Sequence, residues 1–199
     1  RVVSGLMNSV ARAVKSVRPD ATIIAWPYSA HIWSEDKEQL GFIKRLSRYV
    51  TLMDVFEKDQ IRRWGKVSQN IFDYSISFIG PSARFTRQYE MAKSLDIQMW
   101  AKTESAVSIE FFNVPYIPVM YRWYERFRRL GEFELTGIMG AWRCYGFTGS
   151  ITEEIADWYS WKPAPPINGL LKNIAERDFG KKTGTPALRA WMHFSSAMG

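Results

Sequence analysis

Val50-Thr51-Leu52-Met53-Asp54-Val55-Phe56 is a run with a single charge, rich in β-branched side chains, and it stops at the charged pair Glu57-Lys58. A short apolar run of this kind reads as a strand covered on both faces, as strands of parallel sheets are. Similar runs lie on either side of it. Thr22-Ile23-Ile24-Ala25-Trp26 precedes it, and Ile97-Gln98-Met99-Trp100-Ala101-Lys102 and Gly137-Ile138-Met139-Gly140-Ala141-Trp142 follow. Between the runs the apolar spacing changes to three and four. Val3, Leu6, Met7, Val10, Val14 and Val17 form one such stripe, ended by Arg18-Pro19-Asp20. Ser34 is placed as an N-cap, with Glu35, Asp36 and Glu38 at the positive helix start and Leu40, Ile43, Leu46 and Tyr49 as the stripe. Gly80-Pro81-Ser82 opens a third helix carrying Phe85, Tyr89, Ala92 and Leu95. Val119, Trp123, Phe127 and Leu130 form a fourth, closed by Gly131. Arg62, Arg63 and Trp64 read as a loop, and residues 73–79 as a further strand or a segment closing over a site.

Strands and helices therefore alternate about four times, at spacings of roughly 30 to 45 residues. This is the pattern of parallel βα units, and the fold class is α/β. A complete (β/α)8 barrel takes about 250 residues, so four units amount to the second half of a TIM barrel, or to a small open α/β sheet. The chain begins at Arg1, inside a helical pattern, which favours a half barrel whose N-terminal part is missing. Glu153-Glu154 begin another helix. Residues 1–162 hold the βα units. After the break Pro163-Ala164-Pro165-Pro166, residues 163–199 form a helical extension, with helices over 170–179 and 186–198, the latter capped by Thr185. A Rossmann reading lacks its Gly-x-Gly-x-x-Gly, and a serine-hydrolase elbow is also missing.

Composition narrows the function classes. The net charge of +7 is dispersed along the chain, which argues against nucleic acid as the partner. Cys144 is the single cysteine, so no internal disulfide forms, and with two histidines no Cys/His metal centre is expected. No cofactor is implied. No stretch approaches the roughly 18 apolar residues of a membrane span. Cytoplasm and export are both compatible with one unpaired cysteine.

In βα folds the chemistry gathers at the carboxyl ends of the strands. Trp26, Pro27, Tyr28, Ser29, Ala30, His31 and Trp33 follow the first strand, Glu57 and Lys58 the second, Lys102, Thr103, Glu104 and then Glu110 the third, and Trp142, Arg143 and Tyr145 the fourth. Carboxyl groups beside aromatic faces suit a sugar: the rings stack on its C–H face, and a carboxyl pair supplies acid and base or nucleophile. Glu57, Glu104 and Glu110 are the candidate catalytic residues. Trp26, Tyr28, His31, Asp73, Tyr74 and Trp142 are the candidate sugar contacts. Structural alternatives stand beside each. Trp26 and Trp142 suit core caps, Glu57 and Lys58 a solvated ion pair, and Asp54 an internal ion pair. Glu110 is either partly buried or exposed. Arg62, Arg63, Arg122, Arg126, Arg128 and Arg129 read as solvated charges, and Cys144 as a small packed side chain.

Ile24-Ala25-Trp26-Pro27-Tyr28-Ser29, Phe56-Glu57-Lys58, Asp73-Tyr74-Ser75-Ile76-Ser77, Val114-Pro115-Tyr116-Ile117-Pro118-Val119 and the last strand with Trp142 resemble the C-terminal half of a bacterial glycoside hydrolase barrel, of the β-N-acetylhexosaminidase-like (family 20-like) kind or a neighbouring uncharacterised family. The stretch Ala175-Glu176-Arg177-Asp178-Phe179-Gly180 with Ala190-Trp191 resembles the helical tail after such barrels. The resemblance implies a glycosidase acting on a carbohydrate substrate, with Trp142 as a pocket floor. It leaves two layouts. In one the acidic pair precedes Arg1; in the other the nucleophile stands at the seventh strand end, where Glu104 falls. No Asp-Glu dipeptide follows a strand here. Association with a missing N-terminal half, or with a second copy, is expected of exposed strand edges. A non-catalytic carbohydrate-binding α/β domain uses the same aromatics, and a structural or polyanion-binding domain would use the charge instead.

Overall fold

A computed structural model describes residues 2–105, 109–111, 114–140 and 149–199. Four strands make one parallel sheet: β1 (Ile23–Ala25), β2 (Val50–Val55), β5 (Met99–Lys102) and β6 (Gly137–Met139). Their order is β1-β2-β5-β6, the order of the chain, with Ala25 opposite Leu52, Leu52 opposite Met99 and Trp100 opposite Gly137. The fold is thus α/β. Its helices are α1 (Val2–Val17), α2 (Leu40–Ile43), α3 (Ala83–Ser94), α4 (Met120–Leu130), α5 (Ile151–Ser160), α6 (Ile167–Phe179) and α7 (Lys181–Ala197).

All six residues of β2 are buried, as its apolar run requires. Val50, Leu52 and Phe56 pack with Ile43, Phe85, Ala92, Phe127 and Leu130 from the helical layer. A second core joins α4 to the C-terminal helices through Met120, Trp123, Leu170, Leu171, Ile174 and Trp191. Residues 163–199 therefore share a core with α4. Ser82 caps α3 by accepting the Phe85 amide at 3.2 Å, and Ser150 with Glu153 forms a reciprocal capping box on α5. Two glycines are obligatory for space. A Cβ at Gly80, whose φ is +77°, would enter the Phe56 ring, and one at Gly137 would enter the Trp100 indole.

Several local expectations fail, each for a physical reason. The helix expected from Ser34 to Tyr49 shrinks to Leu40–Ile43 behind a 3₁₀ turn over Ala30–Trp33, because Gln39 takes a left-handed conformation (φ +59°) and breaks the path. The loop at Arg62-Arg63-Trp64 is a strand, β3 (Gln60–Trp64), paired in a hairpin with β4 (Val67–Ile71). Gly65 supplies the positive φ of its tight turn. The hairpin is largely exposed, so it carries little of the apolar alternation that marks a buried strand. Residues 73–79 hold no strand. Thr185 caps nothing: α7 starts at Lys181 after Gly180 (φ +78°) and carries Pro186 inside. Finally, α1 turns most of its apolar stripe outward, with Met7 packed on the core and Val14 half-buried. Val3, Leu6, Val10 and Val17 are exposed, while Ser4 and Ala11 face the core, where small side chains allow close approach to the sheet. The end of the last strand at 141–142 lies outside the described residues.

The Gly137 contact gives a direct check of this packing. Gly137→Ala should lower stability by about 1–3 kcal/mol through overpacking against Trp100. Urea denaturation reads this as a lower midpoint; an unchanged midpoint would mean that the indole is free to move aside.

Candidate functional site: a buried charge cluster at the strand ends

Beyond β2 and β5 the chain departs from the sheet with its ionisable residues turned inward. Glu57, Lys58, Asp73, Lys102, Glu104 and Arg126 are all fully or almost fully buried. Three acids thus meet three bases, as burial demands, since unpaired charge is prohibitively costly away from water. Ala101 lies in the core against the helices, so Lys102 next to it leaves on the opposite face of the sheet. Its Nζ lies 3.0 Å from a Glu104 carboxylate oxygen and donates to the Thr103 carbonyl. Lys58 lies 3.5 Å from Asp73 and donates to the Phe72 carbonyl at 3.3 Å. Glu57 accepts the Thr103 hydroxyl at 3.1 Å and lies 3.4 Å from an Arg126 nitrogen.

Aromatic rings roof the cluster. Lys58 Nζ sits 4.5 Å from the centre of the Phe72 ring and 5.0 Å from that of Tyr28, and Lys102 Nζ sits 4.4 Å from that of Tyr74. Tyr28 stacks on Tyr74 with centroids 6.3 Å apart and touches Trp26 at 4.7 Å. Tyr74 adopts φ +37°, a conformation disfavoured outside glycine.

The roof segment is tied down by carbonyl acceptance. Three arginines from one side of α4 donate to it. Arg122 reaches the carbonyls of Ile76 at 2.7 Å and of Ser77, Arg126 those of Ser75, Phe78 and Ile79, and Arg129 that of Gly80 at 2.7 Å. From the other side Glu110 accepts the Ser75 and Ser77 hydroxyls and the Ile76 amide, the last at 2.7 Å. These bonds occupy the groups that a strand would pair, which is why residues 73–79 form none.

Burial lifts the Glu57 carboxyl to about 7; Asp73 and Glu104 add to the rise, while Arg126 and Lys102 oppose it. Burial likewise raises Asp73 against the pull of Lys58. The Tyr28 hydroxyl is pushed up to about 12 by burial and by its hydrogen bond to Asp73. A group held near 7 in a fold's reactive zone changes protonation at neutral pH, which is what a general acid or base needs.

The structure brings Glu57, Glu104, Asp73, Tyr74 and Tyr28 together, with Trp26 joined through Tyr28. Glu110 is set to the side, as the clip of the roof. His31 stands at the rim: its Nδ1 lies 3.2 Å from the Tyr28 carbonyl and its Nε2 3.9 Å from Asp59, and burial lowers its pKa. Trp142, Arg143, Cys144 and Tyr145 lie outside the described residues. Glu57 and Lys58 do not form the solvated pair considered from sequence; each finds a different buried partner. Asp54 is an internal ion pair, 3.3 Å from Arg84 on the helical side.

The reading of Arg122, Arg126 and Arg129 as solvated charges is overturned. Arg126 is completely buried, at 4.8 Å from the Trp123 ring. One signal for it was present: Arg126 lies three residues after Trp123 and four before Leu130, inside the buried stripe of α4. Arg62 is also engaged, donating to the Met198 carbonyl at 3.4 Å. Arg63 and Arg128 are exposed, Arg128 between Glu125 and Glu132. Among the described residues no group of three or more His, Cys, Asp or Glu is arranged to hold a metal ion, and no helix is long and apolar enough to cross a membrane.

Two predictions follow from the cluster. Glu57 binds its proton more tightly folded than unfolded, so stability should fall as pH rises from about 4.5 to about 7 and level off above. Asp54, lifted to about 6 by burial, adds to the lower part of that slope. Urea midpoints across this range should show the fall, and Glu57→Gln should flatten its upper part; a slope unchanged by the substitution would show that Glu57 does not titrate there. Arg126→Ala should cost about 3–5 kcal/mol at pH 8, because it strands the Glu57 charge. The loss should be smaller at pH 5, where Glu57 carries its proton, and equal losses at the two pH values would remove Glu57 from the account.

No protein-family model, no curated protein and no solved structure matches this chain.

Proposed function

We propose that the chain is the second half of a (β/α)8 glycoside hydrolase, cleaving glycosidic bonds with Glu57 as general acid and Glu104 as its carboxylate partner. The observation that carries the reading is Glu57: a fully buried carboxyl at a parallel strand end, lifted to about 7. Such a group holds a proton near neutrality and releases it to a leaving oxygen. Glu104, ion-paired with Lys102 at the neighbouring strand end, acts as nucleophile or base. Tyr28 and Trp26 offer ring faces to a sugar, with Tyr74 stacked behind Tyr28, and Asp73 offers a hydroxyl acceptor. Glu110 acts as a positioning residue through residues 75–77. His31 at the rim, and Trp142 outside the described residues, are the remaining candidate contacts. For a sugar ring to reach Glu57 and Glu104, both buried, the roof that Arg122, Arg126, Arg129 and Glu110 tie down must move aside.

The sheet supports the barrel half. Right-handed crossovers between strands taken in chain order put all connecting helices on one face. A doubly wound sheet reverses its strand order partway, and this one does not. Four further βα units would close the open edges of β1 and β6. The complete burial of Glu57 and Glu104 favours a second reading, a carbohydrate-binding α/β domain in which the cluster is structural.

Turnover of a panel of chromogenic glycosides, measured alongside calorimetric binding of the corresponding oligosaccharides, separates these readings. The hydrolase predicts turnover reduced at least about 100-fold by Glu57→Gln and by Glu104→Gln. Binding without turnover moves the assignment to the binding domain. Absence of both overturns the glycoside reading.

A further inference from the structure

A cleft of about 720 Å³ opens beside the charge cluster, between the start of α1 and the segment that follows β1. Its volume falls in the usual range of small-molecule sites, about 300–1,000 Å³. Val3, Met7 and Phe42 give it an apolar base, and Trp26, Tyr28 and Trp33 supply aromatic faces.

Trp33 is the feature that packing leaves unexplained. At 89% exposure it is the most exposed large apolar side chain among the described residues, and its ring meets no other ring there. Stacking surface of this size is costly to leave in water, and indole is a preferred platform for flat ligands. The hydroxyls of Ser29 and Ser34 stand on the same lip and make no side-chain hydrogen bond among the described residues. Beneath them Gln39 is buried in a left-handed conformation, its amide group held by Arg84 at 2.9 Å and directed to the Pro27 carbonyl. Backbone strain of this kind persists where the surroundings over-determine it. Here the Arg84 and Pro27 contacts of the Gln39 side chain hold it in place.

The cleft also connects to the cluster. Tyr28 lines it, and its other contacts run to Tyr74, which lies over Lys102. Trp26, Tyr28 and Tyr74 thus make a row of rings from the cleft to Lys102, the ion-pair partner of Glu104. A ligand with alternating apolar faces and hydroxyl edges, extending over more than one ring, matches this row and the Ser29 and Ser34 hydroxyls. Such a ligand is an oligosaccharide.

We infer that this cleft is a second sugar-binding site, in which Trp33 stacks on a pyranose ring of an oligosaccharide whose other end runs along Tyr28 toward the strand ends. The inference rests on the glycoside reading for its ligand class, and it adds a preference for long chains over short ones. Trp33 is a binding residue here and not a catalytic one.

The test is calorimetric binding of cellobiose and cellopentaose, and of chitobiose and chitopentaose, to the intact chain, to Trp33→Ala and to Glu57→Gln. The longer member of a pair should bind more tightly than the shorter. Trp33→Ala should weaken the longer ligand by roughly threefold to tenfold, the worth of one stacked ring, and leave the disaccharide unchanged. The substitution removes an exposed side chain, so an unchanged urea midpoint certifies the fold. Glu57→Gln should retain the length preference, because the cleft acts without the acid. Equal affinities for both lengths, or no effect of Trp33→Ala on the longer ligand, overturns the cleft assignment even if simple glycosides are hydrolysed. Length-dependent, Trp33-dependent binding without hydrolysis upholds the cleft and overturns the hydrolase instead. Binding of neither sugar series overturns both.

Discussion

The Arg126 guanidinium is the junction on which the rest of the molecule turns. It issues from the middle of α4 with no exposure. It meets the Glu57 carboxylate beyond β2, the Glu104 carbonyl beyond β5 and three carbonyls of the roof segment. One rigid, planar group with five donors is suited to this, because its fork satisfies several acceptors in fixed directions. A lysine at this position would offer a single point charge. The helix, two strand ends and the roof are thereby held in one register, and Glu57 is held where water does not reach it.

The cluster is stable because it is closed and paired. Buried ions forfeit hydration, and their mutual attraction repays this only when the remaining lone pairs and protons are also satisfied. Thr103 serves Glu57, the Thr103 carbonyl serves Lys102, and the Phe72 carbonyl serves Lys58. The same closure creates the chemical potential of the site. Desolvation acts on every group at once, but the acids and bases are distributed unevenly, and Glu57 bears the excess. The same burial that costs stability therefore brings its proton affinity to neutrality.

The roof shows how an ordered segment forms without regular structure. Residues 73–79 have a strand-like sequence, yet their carbonyls are claimed by the arginines of α4 and their amides and hydroxyls by Glu110. Charge-assisted hydrogen bonds of this kind outcompete sheet pairing when no strand edge is at hand. The aromatic row above the cluster depends on this anchoring.

Local pattern alone determined the α/β class, the four parallel strands and the gathering of Glu57, Lys58, Lys102 and Glu104 at their carboxyl ends. Apolar period and strand position are local properties, and strand ends in such folds converge whatever the loops do. The hairpin after β2 was hidden because exposed strands carry little apolar alternation. The outward stripe of α1 was misleading because the helix spends its small residues, Ser4 and Ala11, on the sheet. Glu110 as a clip, and Arg122, Arg126 and Arg129 as a ladder, emerged only in three dimensions. Whether an arginine on an amphipathic helix faces water or a ring of carbonyls depends on which distant segment folds over it, and residues 45 to 51 positions away supply those carbonyls. Tertiary structure decided the partners of each charge, and with them the proton affinity of Glu57, because both are set by long-range burial that no local spacing encodes.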